Sequence, residues 1–303
     1  MKKSPKIFLA MSLMVLSAAA LTGCGGFSEM IGSAVSTASD SADGLSGIDK
    51  KSSALAPYVK AKNDFDGKNV TFAYAIDPAL QKMKNGEPLT VLMLPGYKDL
   101  QQNLTQAKSK SSGFQDIDQS RDAVLEVLND LAPLAEKMDS YYSTKEYAAD
   151  QYVKGAEYTG QYLALKEKFD QAYDQFDNLV RQHSEELREQ ELEALKKANK
   201  VKAVAFMEIN RDLRTVVDSL DNGDDQKIND QLSSISDKLS KLNVSKEKVS
   251  RIEFYKGDMN RCIGAIRTYL GGNRDSRSYN EVIERYNEVI TDINHIDTGD
   301  LDK

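Results

Sequence analysis

Tryptophan is absent from this sequence, and cysteine, histidine and proline are scarce, with two, two and six residues respectively. So few prolines, together with abundant Ala, Leu, Lys, Glu, Asp and Gln, argue against a β-sandwich or a glycine-punctuated α/β enzyme and for an all-α chain. No Gly-x-Ser-x-Gly elbow, phosphate loop, zinc-protease motif or dinucleotide fingerprint occurs. No basic excess exists either: 40 Lys and Arg stand against 47 Asp and Glu, which disfavours nucleic acid as a partner. What remains is 303 residues, 40% of them hydrophobic, enough for a sizeable core in one or two domains.

The first segment stands apart from that core. "MKKSPK" carries three lysines and no acid, "IFLAMSLMVLSAAA" is a 14-residue run too short for a membrane span of about 20, and small residues follow. This is the layout of a secretory signal. The next residues, Leu21-Thr22-Gly23-Cys24, resemble a bacterial lipobox. That resemblance implies cleavage after Gly23, a diacylglycerol on the Cys24 sulfur and an N-acyl chain on its amine, with no other cofactor. Gly25 rather than Asp after the cysteine resembles outer-membrane sorting in a two-membrane host; elsewhere the anchor would lie on the outer face of the cytoplasmic membrane.

Removing residues 1–23 leaves 37 basic residues against 47 acidic, a formal charge of −10. Such a surface does not suggest docking on anionic lipid, so attachment falls to the two or more acyl chains. With Cys24 acylated, Cys262 has no intrachain partner and disulfide stapling is excluded. Residues 24–56, rich in Ser, Gly, Ala and Asp, read as a lipidated flexible tether with a reach on the order of 30 Å, part of which could form a weak amphipathic helix. Residues 57–303 read as the folded domain.

Within that domain the spacing is helical. "SSALAPYVKAKNDF" and "DPALQKMKNG" predict two short helices, with Pro78 in a permitted first turn and Gly86 near a stop. "VTFAYAI" and "LTVLMLP" are apolar runs that could be strands, since length alone does not decide. From Asp116, the residues Val124, Leu128, Leu131, Ala135, Met138 and Tyr142 stack on one face that Pro133 should bend. Residues 161–221 contain no Gly and no Pro. Tyr162, Leu165, Phe169, Tyr173, Phe176, Val180 and His183 form one stripe, and Val201, Ala205, Ile209, Leu213, Val216 and Leu220 another. The charged stretch between them predicts one long helix with a solvated middle, in preference to a turn near Lys196–Lys200. "LDNGDDQ" predicts a turn, followed by helices on Ile228, Leu232, Ile235 and Leu239, then on Ile252, Tyr255, Met259, Cys262, Ile266 and Tyr269, and last on the twice-written heptad "YNEVIERYNEVI". The sum is an elongated bundle of four to seven long, antiparallel helices.

"KMDSYYSTKEYAADQYVKG", the long polar-centred helix with "ELEALKKANK" and the closing "YNEVI" helix together resemble the YiiG-like family of uncharacterised bacterial lipoproteins. The similarity runs from about Tyr58 to Asn294 and is weakest over residues 71–94. It implies an all-helical domain on a lipid anchor and supplies no activity and no catalytic residue.

Candidate chemistry is thin. His183 and Glu186 lie three apart on a helix and could ligate a metal, but no second His-x-x-Glu exists and a di-metal bundle draws ligands from several helices, so a seam histidine is the simpler reading. Cys262 on an apolar seam reads as a buried structural thiol. "DNGDDQ" lacks the spacing of a calcium loop. Tyr141, Tyr142, Tyr147, Tyr152, Tyr158 and Tyr162 form the richest candidate interaction face, against the plainer reading that amphipathic rings line the border of the core. No catalytic, cofactor-binding or metal-binding residue is assigned. The expectation is a non-enzymatic envelope module that binds another envelope or secreted macromolecule; a toxin-neutralising immunity lipoprotein and a metal-dependent envelope hydrolase are the alternatives.

Overall fold

The computed structural model describes residues 39–220, 222–244 and 249–302, so the expected signal segment, Cys24 and the expected tether up to residue 38 lie outside the described residues. It is all-α, and no strand occurs among the described residues. The helices are α1 (Ser39–Lys84), α2 (Tyr97–Lys108), α3 (Gln115–Ser143), α4 (Tyr147–Asp150), α5 (Val153–Lys197), α6 (Val201–Asp218), α7 (Asp225–Lys241), α8 (Ile252–Gly271) and α9 (Ser276–Ile293), with a closing 3₁₀ turn at Thr298–Asp300. No described helix is long and apolar enough to cross a membrane.

The segment before residue 95 differs from the sequence expectation. The two short helices and the strand candidate "VTFAYAI" are one 46-residue helix, α1, with Pro57 and Pro78 inside it. Its buried residues Leu55, Tyr58, Lys62, Phe65, Ile76, Ala79 and Met83 recur at helical spacing, and packing on α2 and α5 outweighs the local interruptions. The folded domain therefore begins before residue 57: α1 starts at Ser39, and Asp49, Ser52 and Leu55 are already buried. Gly86 ends α1 with φ +69°; the Glu87 N–H donates to the Lys82 carbonyl and the Gly86 N–H to that of Met83, the paired closure that favours glycine at this position. "LTVLMLP" is irregular chain in which Leu89 is buried and Val91 is 77% exposed.

Helices α1, α2, α3 and α5 contact one another in a closed ring, α1 on α2, α2 on α3, α3 on α5 and α5 on α1, a four-helix bundle around the first core. That core runs from Leu55 to Leu187 and includes the expected Val124, Leu128, Leu131 and Met138 of α3 and Tyr162, Phe169, Tyr173, Phe176 and Val180 of α5. A second core runs from Leu195 to Leu301, built by α6, α7, α8 and α9. Ile228, Leu232, Ile235 and Leu239 point into it from α7, and Ile252, Tyr255, Met259, Cys262, Ile266 and Tyr269 from α8. Asp224 caps α7 by accepting from the Lys227 N–H, and Asp275 caps α9 by accepting from the Ser278 N–H.

Residues 161–221 are two helices, not one. α5 stops at Lys197, and Asn199 takes φ +55°; the Lys200 N–H donates to the Leu195 carbonyl and the Asn199 N–H to that of Lys196. Asparagine tolerates this left-handed position better than most side-chain-bearing residues, and Lys196 and Lys197 suit a helix C-terminus. The turn also moves Val201, expected on the apolar stripe, to an exposed first-turn position. Nine α-helices among the described residues exceed the four to seven expected: α2, which follows Pro95-Gly96, lies outside the helices expected from sequence, and the short α4 and the break at Asn199 carry no Gly or Pro of their own.

Candidate functional site

The tyrosine-rich segment is brought together, but mostly inward. Tyr141 and Tyr142 at the end of α3 are buried, and their rings meet edge-on at 5.0 Å. Tyr147 and Tyr158 pack on Tyr141, and Tyr152 stacks on Tyr147 at 5.0 Å. Asp150 organises this corner: it accepts from the Tyr141 hydroxyl at 2.7 Å and from the N–H groups of Tyr152 and Lys154, which holds the start of α5. Gly155 lets the helix approach, since a Cβ there would sit 3.0 Å from the Tyr142 hydroxyl and 3.2 Å from the Tyr141 ring. Tyr162 is not part of the cluster. It is fully buried, with its hydroxyl 2.9 Å from that of Tyr97.

His183 sits between two carboxylates, Nε2 2.8 Å from Asp116 and Nδ1 3.1 Å from Glu186, with its ring stacked on Phe114 at 4.1 Å. The two carboxylates lie at opposite ring nitrogens and do not converge on a common point, and among the described residues no group of three or more His, Cys, Asp or Glu is arranged to hold a metal. Cys262 is fully buried, and burial, with the charge of Glu288 second, pushes its thiol up to about 12.

A cavity of about 130 Å³ lies where α5 leaves the first core and meets the second. α5 contributes Glu185, Arg188, Glu189, Glu191 and Leu192; α6 contributes Phe206, Asn210, Arg211, Leu213 and Arg214; α9 contributes Tyr286, Ile290 and Ile293; and Ile296 and Asp297 come from the link between α9 and the closing turn. Of the charged middle of α5, read from sequence as solvated, Glu186, Glu189, Glu193, Lys196 and Lys197 are exposed as expected, while Glu185, Arg188 and Glu191 are half-buried against the cavity. Glu185 Oε2 accepts from Arg188 at 3.1 Å and also from Arg214 of α6, tying the two helices together. Burial works against the Glu185 carboxylate, but the hydrogen bond and charge of Arg214, reinforced by Arg188, hold it below its usual range. Glu191 goes the other way: burial first, then the negative charge of Asp49 on α1, pushes it up to about 7. Asn210 is fixed by the buried Tyr255, whose hydroxyl donates to Asn210 Oδ1 at 2.7 Å.

Sequence reasoning missed Arg188, Arg214 and Tyr286. Their spacing looks like ordinary helix surface or heptad seam, and only the fold around Asn199 sets them facing one another. The two arginines lie within the part of the chain that comparison with known families recognises; α9 lies beyond it. No curated protein matches the chain, and no solved structure does. One family matches residues 52–262, more than two thirds of the sequence. The chain belongs to that family, described as proteins of unknown function (DUF3829).

Proposed function

We propose that the chain is a lipid-anchored protein of the bacterial cell envelope, akin to the YiiG-like lipoproteins, and that its helical domain is a non-enzymatic binding module. The anchor is Cys24 in "LTGC", and α1 starting at Ser39 brings the domain closer to that anchor than the tether reading implies. The cavity between α5, α6 and α9 carries the binding reading. It combines apolar walls with carboxylates and guanidiniums of both signs at the seam of two cores, a concave mix of apolar and polar groups of the kind that ligand sites use. The strongly raised Cys262 thiol and the fully engaged His183 ring favour binding over nucleophilic chemistry. In this reading the tyrosine corner, with Tyr147, Tyr152 and Tyr158 half-buried at its rim, is the surface offered to a protein partner.

Metabolic labelling with a palmitate analogue and detergent-phase partitioning test the anchor. The wild-type chain should take up label and partition with detergent, and Cys24→Ser should do neither; label retained by the variant overturns the assignment. Native mass spectrometry of protein taken directly from envelopes tests the cavity. A bound small molecule should be released on denaturation and be missing from Ile293→Phe, whose larger ring fills the space. Its equal presence in that variant would place the ligand elsewhere.

A further inference from the structure

We infer that the cavity takes a small amphipathic cation, a primary ammonium on an apolar body about the size of a benzene ring, with its charged end at Glu191. This deepens the reading of the cavity as a ligand site and rests on it. Glu191 lines the cavity and makes no hydrogen bond or ion pair among the described residues. Asp49 on α1 is 8% exposed, and its Oδ2 is buried without a partner. The antiparallel register that sets Lys62 by Asp177 and Asp66 by Tyr173 continues along α1 and α5 to Asp49 opposite Glu191, whose negative charges act on each other. At the first level the chain supplies its own ammonium, Lys62, between Asp66 and Asp177. At the second, no described Lys or Arg bonds to either acid, and a bound ammonium would relieve the cost of two partly buried carboxylates facing each other.

The other charges of the cavity are already matched. Glu185 holds Arg188 and Arg214, Glu189 lies 3.7 Å from Arg211, and Asp297 accepts from the Gly299 N–H. Arg188, the cation acting on Glu191, is thus committed to Glu185, and burial keeps Tyr286 protonated. Among the described residues no third His, Cys, Asp or Glu joins the two acids in a metal-holding group, whereas an ammonium asks only for acceptors. The rest of the wall is apolar, with Leu192, Phe206, Leu213, Ile290 and Ile293. A volume of about 130 Å³ is close to that of engineered protein cavities that admit benzene.

Ligand-observed fluorine NMR on the purified full chain can test this with 4-fluorobenzylamine, 4-fluorobenzyl alcohol and 4-fluorobenzoate. The amine should bind saturably, at least tenfold tighter than the alcohol, and the acid weakest of all. Glu191→Gln should weaken the amine at least tenfold and leave the alcohol unchanged. Burial and the Asp49 charge push Glu191 up to about 7, so amine affinity should rise about tenfold from pH 6 to pH 8 as the carboxyl ionises, and Glu191→Gln should remove that rise. Ile293→Phe should abolish binding in protein whose circular dichroism is unchanged. An amine no tighter than the alcohol or the acid, or amine binding unaltered in Glu191→Gln, overturns the cationic class while leaving the cavity as the site. Binding by none of the three, or binding that survives Ile293→Phe, overturns both.

Discussion

Lys62 Nζ lies 2.9 Å from Asp177 Oδ1, joining α1 to α5 inside the first core. The same ammonium is 2.9 Å from Asp66, which also accepts from the Tyr173 hydroxyl at 2.7 Å. Lys62 and Asp66 are almost wholly removed from solvent and Asp177 nearly so. Replacing Lys62 by Met would leave two buried carboxylates facing each other without their cation. The expected loss in urea denaturation is about 3–5 kcal/mol. Lys60→Met, which breaks an exposed pair with Asp64, should cost less than about 0.5 kcal/mol and serves as the contrast.

Gly155 and Gly160 lie on the same helix and should respond in opposite directions to alanine. At Gly155 the new methyl would press on Tyr141 and Tyr142, and about 1–3 kcal/mol of destabilisation is expected. At Gly160 nothing lies within 4 Å, and the helix should gain roughly 0.5–1 kcal/mol. Thermal unfolding of both variants, in parallel, checks the pair; a stabilised Gly155→Ala would mean the tyrosine corner is loosely packed.

The turn between α5 and α6 depends on Asn199 holding a left-handed conformation. Asn199→Val should destabilise the chain by about 1–2 kcal/mol, and Asn199→Gly should be neutral or stabilising. Equal denaturation midpoints for the two variants would show that the closure of α5 does not depend on this residue.

Stability should fall as pH rises across the neutral range. Burial raises Asp49 to about 6, and burial with the Asp49 charge raises Glu191 to about 7; Arg188 is the cation that opposes the latter shift. Both carboxyls ordinarily titrate near 4. The folded state therefore binds more protons between about pH 4 and 7, and stability declines through that window. Asp116, Asp118, Asp122 and Asp275 have lowered values, so their contribution is lost only in stronger acid. The melting temperature should peak between about pH 4 and 5, and Glu191→Gln should flatten its fall toward pH 8, adding on the order of 1 kcal/mol there. A wild-type profile that stays flat from pH 5 to 8 would refute this.

Cys262 should resist alkylation in the native chain at pH 8 and react at the rate of a free thiol once unfolded. Its burial among Met259, Ile266 and Val289 and its raised thiol both suppress the thiolate. Iodoacetamide labelling across a urea series reads this directly, and rapid native labelling would contradict it.

The amphipathic stretches were the most legible part of the fold. Val124 through Tyr142, Tyr162 through Val180 and Ile228 through Leu239 carry repeating apolar positions whose period is fixed by helix geometry, and all are buried except Ala135 and Leu165, which are half-buried at the edge of the core. The ends of helices were less legible, because a carbonyl can be satisfied by Asn199 as well as by glycine, and because Pro57 and Pro78 do not stop a helix held on both sides by α2 and α5. "VTFAYAI" read equally well as strand or helix, and only tertiary packing decides such a segment. The cavity was illegible for a related reason. Its residues come from three helices separated by the Asn199 turn and the whole of α7 and α8, so Arg188, Arg214 and Tyr286 have no sequence proximity to betray them.

Helix α5 is 45 residues long, about 68 Å, and places Leu187 in one core and Leu195 in the other. Two turns of unbroken backbone, with the Glu185–Arg214 pair beside them, thus splice the two cores together. Melting either body frays the rod on which the other is mounted, so the two should unfold in a single cooperative step. Inserting a pair of glycines after Gln190 would uncouple them, and calorimetry would then record two transitions where the intact rod gives one.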